Sequence, residues 1–384
     1  MRNKVFYIYI AMTIAVMGFM PSLAKASGFS VSARGAVLID QDTGRILYEK
    51  NANQKMRIAS ITKIMTAILA IESGEMNQDV KVSKKAVYTE GSSLYLKEGE
   101  KVKLEDLVYG LMLRSGNDAA VAIAEHVGGS LDGFVYLMNK KAEEIGMKNT
   151  HFANPHGLDD HENHYSTAYD MAILMKYAMH NPEFKKISGT KVYHADDPDS
   201  EWERTWRNKN RLLTEKYEYC TGGKTGFTKR AKRTLVTTAA KDGQHLIAVT
   251  LNAPDDWNDH ITMYNYGFSH YDQMLVLEKG TIKDISDSFY KGKVYIKSDV
   301  EYPLASNEKE NMRVEYQLLK PQKDWKKKSS HTPDIVGKAL IYFNEKNVRT
   351  VPIYFNHGAS KDTSSWIDLF QEVFLAGLGV RIDG

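Results

Sequence analysis

The sequence predicts an α+β protein with a second, all-β domain and a C-terminal amphipathic helix. Strand patterns at both ends of the first part of the chain enclose a helical middle, which predicts an antiparallel sheet built from distant segments and covered by helices. Short β-rich runs then alternate with polar turns up to about Asn356. We therefore expect a larger domain at 27–275, a β-rich domain at 276–360 and a helix at 364–384.

The strands of the first domain are predicted as two hairpins. Segments 36–40 and 45–49 flank a turn that ends in Asp42-Thr43-Gly44, and segments 234–240 and 246–252 flank Lys241-Asp242-Gly243. Apolar and β-branched side chains fill the strands, while Asp and Gly occupy the turns. The two hairpins lie nearly 200 residues apart, so the sheet must be assembled across the helical middle.

Helical periodicity predicts the middle of this domain. In segment 60–73, apolar side chains recur three, four and seven residues apart, and Gly74 follows as a C-terminal cap. The same argument predicts helices at 104–113, 118–127, 130–145 and 167–180. In the second domain the predicted strands are 293–296, 313–318, 339–343 and 350–355.

Composition excludes several classes of protein. The chain has 384 residues, of which 42% are hydrophobic and 26% are charged, as is ordinary for a folded protein. Those values argue against a disordered chain, a collagen-like chain and a polytopic membrane protein. The single cysteine excludes an intramolecular disulfide framework and a thiolate zinc cluster.

The N-terminus predicts an exported protein. Arg2 and Lys4 precede an apolar run of 16 residues at 5–20, and Ala24-Lys25-Ala26 forms a small-x-small site, which is the pattern of a signal peptide at 1–26. The alternative, a retained membrane helix, needs about 20 apolar residues. Removing 1–26 takes away three basic and no acidic residues, so the net charge falls from +3 to zero. Nucleic acid is therefore not expected as a partner.

Two further segments have open interpretations. In 364–384, apolar side chains define one helix face, which could lie in a membrane interface or pack on the protein's own surface. This segment has one Arg and three acids, so any membrane association would rest on apolar burial. The run Lys326-Lys327-Lys328 is interpreted as a solvated turn, with contact to an acidic surface as the alternative.

Three short motifs carry residue types suited to nucleophilic catalysis. Ser60 and Lys63 share a face at a predicted helix start, where a neutral lysine could take the serine proton. Ser115-Gly116-Asn117 falls between two predicted helices, and Lys224-Thr225-Gly226 precedes strand-like sequence. Each motif alone also fits a helix start or a turn. Further Ser-x-x-Lys matches begin at Ser22, Ser188, Ser288 and Ser306.

The three motifs in this order indicate a class of protein much more specifically than any one of them does alone. Ser-x-x-Lys, Ser-x-Asn and Lys-Thr-Gly in this order are the set found in penicillin-binding proteins and class A β-lactamases. The longer stretches 58–67, 111–120, 154–158 and 222–228 extend the likeness. The chain resembles the low-molecular-mass penicillin-binding proteins, which are serine-type D-alanyl-D-alanine carboxypeptidases. It is most similar to the Bacillus type that acts on spore-cortex peptidoglycan.

This resemblance implies a penicillin-binding-protein/β-lactamase-like fold and a reaction. Stem peptides ending in D-Ala-D-Ala would be substrates, β-lactams would be covalent inhibitors, and no cofactor or metal would be needed. Ser60 would attack, Lys63 would take its proton, and Ser115 would help protonate the leaving D-alanine. The residues implied in substrate or oxyanion binding are Asn117, Lys224, Thr225, Gly226, Phe227 and Thr228.

The chain departs from some relatives at two places. No arginine lies between Arg233 and Arg313, although many relatives use a downstream arginine to bind the substrate carboxylate. Phe227 stands where some relatives have a histidine. How the carboxylate is bound is therefore left open by the sequence.

Some residues also allow other interpretations. A histidine-rich segment could bind zinc, although no helical His-x-x-x-His pair occurs, and we interpret it as a structural loop. Its members are His151, His156, Asp159, Asp160, His161 and His164. A β-lactamase would need a Glu-x-x-Leu-Asn element, which is absent. A D,D-endopeptidase or transpeptidase would use the same residues, and a wall-binding scaffold would not need them intact. Cys220 is interpreted as a small buried residue.

Overall fold

The computed structural model describes residues 29–196 and 203–357. The predicted signal peptide and the predicted helix at 364–384 lie outside these residues. Sixteen strands are present in the described part: β1 (Gly35–Asp40), β2 (Ile46–Lys50), β3 (Asp79–Lys81), β4 (Lys101–Lys103), β5 (Val192–Ala195), β6 (Arg204–Arg207), β7 (Cys220–Thr228), β8 (Lys232–Lys241), β9 (Gln244–Leu251), β10 (Asp272–Leu277), β11 (Gly280–Thr281), β12 (Val294–Ile296), β13 (Val300–Leu304), β14 (Met312–Leu318), β15 (Ile335–Phe343) and β16 (Lys346–Phe355).

Nine α-helices accompany them in the same residues: α1 (Lys63–Glu72), α2 (Lys84–Val87), α3 (Leu104–Arg114), α4 (Asn117–Gly128), α5 (Leu131–Glu144), α6 (Ala168–Met179), α7 (Pro182–Ser188), α8 (Asp256–His270) and α9 (Lys323–Lys327). The five helices predicted from periodicity are confirmed within a few residues. A 3₁₀ turn, Ala59–Thr62, leads directly into α1.

The first sheet has the order β2-β1-β9-β8-β7, and all of its pairs are antiparallel. The two predicted hairpins thus meet in one sheet, where β1 pairs with β9 from Gly35↔Leu251 to Asp40↔Leu246. Both faces of β1 are buried, because helices cover both sides. The α+β prediction is confirmed for this part of the chain.

Alternate residues of β1 enter different cores. Val37 and Ile39 pack with the helical middle, whereas Leu38 packs with residues of α8 such as Tyr264 on the opposite face. α1 runs through the larger core, and every residue from Lys63 to Ile71 is buried. A helix that is buried all round holds whatever it carries in a fixed position.

Helix α8 was not expected from the sequence. Its apolar residues Trp257, Ile261, Tyr264 and Phe268 lie at helical spacing, but the Asp, Asn and His residues between them make the segment polar overall. Polar contacts of buried groups add to the apolar packing of this helix. Asp259 accepts hydrogen bonds from Ser32 and Ala33, and Asp256 forms an ion pair with Arg233 at 2.7 Å. Such long-range partners are invisible in the local sequence.

The C-terminal part contains a separate β-sheet and core. Its five strands have the order β11-β12-β16-β15-β14, and β10 pairs with β13. Apolar residues between Leu277 and Phe355 form a core distinct from that of the first sheet. The predicted boundary at 275/276 falls inside β10, and the domain bounds remain a prediction. The only α-helix in this part, among the described residues, is the five-residue α9.

Arg45 and Gln273 connect the two parts, and Gln273 Nε2 donates to Asp40 Oδ2 at 2.7 Å. Arg45, in the turn between β1 and β2, pairs with the carboxylate of Glu308 at 2.7 and 2.8 Å and donates to the carbonyl of Pro303. Its guanidinium lies 4.4 Å from the ring centre of Phe343 and 5.4 Å from that of Tyr302. Because the arginine is 9% exposed, this contact is largely shielded from solvent.

Within the described residues, no helix combines the length and the apolar character needed to cross a bilayer.

Candidate active site

Ser60 lies in the 3₁₀ turn that precedes α1, and its side chain is half-buried. The residue before it, Ala59, has a φ of +50°, in the left-handed region that non-glycine residues rarely adopt. Gly157, with φ +86°, packs so closely on the Ala59 carbonyl that a Cβ atom there would clash with it. The serine is therefore presented by a tightly constrained backbone rather than by an ordinary helix start.

Lys63 is the first residue of α1 and is wholly buried. Its Nζ lies 2.7 Å from Asn117 Oδ1, 2.6 Å from the His156 carbonyl oxygen and 3.1 Å from Ser60 Oγ. The Asn117 amide is oriented by its Nδ2, which donates to the Glu90 carbonyl at 2.5 Å. Both oxygens near Lys63 can only accept. A neutral lysine would give them its two N–H groups and direct its lone pair at the serine hydroxyl.

Asn117 and the residue after it also attach a neighbouring loop. The Asn117 backbone N–H donates to Ser92 O at 2.7 Å. The buried carboxylate of Asp118 accepts from the Ser93 hydroxyl at 2.6 Å and from the Leu94 N–H at 2.8 Å. Hydrogen bonds to a carboxylate are stronger than those between neutral groups. The loop beside the site is thus held in place by the start of α4.

Ser115 and Lys224 form the second contact pair. Ser115 follows α3 with a φ of +69°, which turns its hydroxyl toward the sheet. Lys224 lies on β7, and its Nζ is 3.0 Å from Ser115 Oγ and 2.9 Å from the Thr225 carbonyl. Both side chains are buried. The turn between α3 and α4 is therefore connected to the edge strand of the sheet.

Strand β7 borders Ser60 directly. A Cβ atom on Gly226 would lie 2.9 Å from the Ser60 N atom, so only glycine permits this approach. Thr225 is half-buried, and Phe227 is 64% exposed at the outer side of the strand. The hydroxyl of Thr228 accepts a hydrogen bond at 3.0 Å from the turn that follows β7. Thr228 is thus engaged in its own hairpin.

Burial lowers the pKa of both lysines. It holds the pKa of Lys63 well below its usual range, and the positive charges of Lys224 and Lys209 lower that pKa further. Burial likewise lowers the pKa of Lys224 to about 7, with a smaller contribution from Lys209. Removing a charge from water disfavours the charged form, and like charges add to the effect. One lysine is therefore suited to accept a proton, and the other lies near its titration point at neutral pH.

The histidine-rich segment supports the site through hydrogen bonds. His164 Nε2 lies 2.8 Å from the Thr62 hydroxyl, and its Nδ1 accepts from a backbone N–H at 3.1 Å. Burial lowers the pKa of His156 and of His164 to about 3, so both rings are neutral at physiological pH. Across 29–196 and 203–357, no three His, Cys, Asp or Glu side chains are grouped to hold a metal ion.

Sequence reasoning missed three contributors: the His156 carbonyl, the Asp118 carboxylate and Gly157. A backbone carbonyl gives no signal in the sequence, and the contacts of Asp118 with Leu94 and of Gly157 with Ala59 exist only in the folded chain. Cys220 lies near the site and is buried as expected, and burial raises the pKa of its thiol to about 11. That thiol is therefore protonated and not a competing nucleophile at neutral pH.

Comparison with known proteins agrees with this geometry. A family model described as D-alanyl-D-alanine carboxypeptidase matches residues 22–255, and one described as the C-terminal domain of penicillin-binding protein 5 matches residues 271–358. D-alanyl-D-alanine carboxypeptidase DacF of Bacillus subtilis is 41% identical over 275 residues, which cover 67% of this chain and 69% of DacF. DacC of Escherichia coli is 32% identical over 349 residues, 84% of this chain and 83% of DacC.

A solved structure extends the comparison over both sheets. Penicillin-binding protein 5 from Haemophilus influenzae has a TM-score of 0.69 and 28% sequence identity, and the match covers 86% of this chain and 98% of that one. The first family model spans more than half of the chain, and the expected resemblance is thereby confirmed. The chain belongs to the family of serine-type D-alanyl-D-alanine carboxypeptidases, the low-molecular-mass penicillin-binding proteins.

Proposed function

We propose that this protein removes the terminal D-alanine from peptidoglycan stem peptides through an acyl-enzyme on Ser60. Ser60 Oγ attacks the carbonyl between the two D-alanines as Lys63 takes its proton. The C–N bond then breaks, and D-alanine leaves with a proton delivered through Ser115. Water hydrolyses the ester and restores the serine. A β-lactam amide enters the same first step and leaves the serine acylated.

The set of contacts around Lys63 Nζ is the observation that carries this proposal. Two oxygens that can only accept lie at 2.6 and 2.7 Å, and Ser60 Oγ lies at 3.1 Å. Burial keeps the lysine pKa low. A base must be neutral and within hydrogen-bond reach of the proton it takes. Lys63 lies within that reach of Ser60, its lowered pKa favours the neutral form, and Asn117 holds it in place.

The edge of β7 is proposed to bind the substrate. Lys224 and Thr225 would take the terminal carboxylate, because a lysine near its titration point gains its proton when an anion approaches. The backbone N–H groups of Ser60 and Phe227 would form the oxyanion hole, and Gly226 permits the necessary approach of the two chains. The Thr228 hydroxyl is hydrogen-bonded within its own hairpin, so this residue would affect substrate binding only by holding strand β7 in position.

The cellular setting is proposed from the family and the N-terminus. The family acts on the cell wall, so the chain is expected to work outside the cytoplasm. We propose export with cleavage after Ala26, and a role in cell-wall or spore-cortex maturation. N-terminal sequencing of the secreted protein checks the cleavage: a mature chain beginning at Ser27 is expected, and an intact Met1 contradicts it.

The decisive experiment compares three forms of residues 27–384: wild type, Ser60→Ala and Ser288→Ala. Ser288 also begins a Ser-x-x-Lys sequence but lies in the second domain, so it is a matched control. Each form is treated with a fluorescent penicillin and assayed for D-alanine release from a peptide ending in D-Ala-D-Ala. Wild type and Ser288→Ala should be labelled and active, and Ser60→Ala should be neither.

The outcomes separate the alternatives. Labelling of folded Ser60→Ala would refute the assigned nucleophile. Labelling of wild type without D-alanine release, but with transfer to an added amine, would favour a transpeptidase. Rapid release of hydrolysed penicillin would favour a β-lactamase. A folded wild type that takes no label at all would favour a wall-binding scaffold.

A further inference from the structure

The end of the second domain that lies farthest from the first carries an unusual density of lysines. We call this surface the basic end and define it by residues 282–293, 319–334 and 355–357. It holds eight lysines and four aspartates, a net charge of +4, although the chain after residue 26 is neutral. The five lysines of its central segment are Lys320, Lys323, Lys326, Lys327 and Lys328.

These five ammonium groups form no ion pair with a carboxylate of the described residues. All five residues are exposed. The two aspartates of the segment contact histidines instead: Asp324 lies 3.1 Å from His331 Nδ1, and Asp334 lies 2.9 Å from His357 Nε2. The surface therefore presents a concentrated positive charge to solvent.

The basic end has a defined shape. The buried side chain of Trp325 fastens α9 to the domain, and the Tyr290 hydroxyl donates to the Leu319 carbonyl at 2.9 Å. The Leu319 side chain itself is 50% exposed beside Lys320. An apolar side chain among lysines is a combination that suits an interface between water and lipid.

The position of this surface in the molecule is the second observation. β15 begins at the basic end with Ile335 and finishes at Phe343, whose ring contacts Arg45 of the first part. Nine strand residues at about 3.3 Å each place the basic end about 30 Å from that contact. The described chain also ends here, because β16 finishes at Phe355 beside Val294 and His357 contacts Asp334. Residues 358–384 therefore start from the basic end.

We propose that the basic end docks on a membrane surface rich in anionic phospholipid. Residues 364–384, which we call the tail, carry more acidic than basic residues, so their amphipathic pattern can contribute apolar burial only. The basic end supplies the electrostatic attraction that the tail lacks. Lysines at an anionic surface each contribute about 1 kcal/mol to binding. The same surface would receive the tail and the basic end together, and the first domain would face away from it.

The test uses residues 27–384 and sedimentation with vesicles of phosphatidylcholine, with or without phosphatidylglycerol. The variant is Lys326→Gln/Lys327→Gln/Lys328→Gln. The matched control is Lys81→Gln/Lys84→Gln/Lys85→Gln, which removes three clustered, exposed lysines of the first domain. Thermal unfolding and penicillin labelling should be unchanged in both, because none of these residues belongs to the active site.

Wild type and control should bind the anionic vesicles. Their affinity should fall as the salt concentration rises from about 50 to about 500 mM, because salt screens the attraction between the lysines and the lipid. The variant should bind them at least about tenfold more weakly. All three should bind neutral vesicles equally, through the tail. Equal binding of variant and control to anionic vesicles would overturn the proposal. So would lysine-dependent binding to purified anionic wall polymer without binding to vesicles.

Discussion

Replacing Lys224 by methionine should stabilise the protein while ending its activity. Burial lowers the pKa of Lys224 from 10.5 to about 7, so the native structure disfavours the charged form by about 5 kcal/mol. At pH 7 the unfolded chain keeps this proton while the native state is half neutral. The native state therefore carries a penalty of about 4 kcal/mol that methionine would not carry.

Methionine also loses two hydrogen bonds, to Ser115 Oγ and to the Thr225 carbonyl. At about 1 kcal/mol each, these reduce the expected gain to about 2 kcal/mol at pH 7. The gain depends on pH with a definite sign. Because the native pKa lies below the unfolded one, the wild-type penalty is complete below pH 7 and disappears as the pH rises toward 10.5. The variant should therefore be more stable at pH 7 and less stable near pH 10.5.

Urea unfolding of both proteins between pH 6 and pH 10.5 measures this difference, and fluorescent penicillin reports the loss of acylation. Lys84→Met is the control, since Lys84 is exposed and its replacement should change stability by less than about 0.5 kcal/mol at every pH. A Lys224→Met protein that is less stable than wild type at pH 7 would refute the reasoning. A difference that does not vary with pH would refute it equally.

Three other substitutions test the geometry of the site. Asn117→Ala removes an acceptor from Lys63 and should slow penicillin acylation by about 100-fold or more; an unchanged rate would show that Lys63 is positioned without it. Asp118→Asn should lower the unfolding free energy in urea by about 2–4 kcal/mol, because buried N–H groups lose their anionic acceptor, and a neutral result would contradict that anchoring role. Gly226→Val should abolish acylation without changing the secondary structure, because the added side chain would push β7 away from Ser60. Normal penicillin labelling of this variant would show that the strand does not need to approach Ser60 so closely.

Much of the architecture was predictable from local patterns. The buried α1 has an apolar repeat and a glycine after its last turn, and strands β8 and β9 have β-branched runs around an Asp-Gly turn. Helix α8 was missed because polar residues interrupt its apolar repeat, and because one of its anchors, the buried carboxylate of Asp259, binds residues more than 200 positions away. A short-range pattern cannot contain a partner at that distance.

The functional site shows the same division. Motif order identified Ser60, Lys63, Ser115 and Lys224, because residue types and spacing are properties of the covalent chain. Sequence alone thus determined which groups could act and to which family the chain belongs. The tertiary structure decided how they are held, through a backbone carbonyl, two left-handed residues and a close glycine. It also lowered the pKa values of the two lysines, because a pKa depends on burial and on neighbouring charges that only folding brings together.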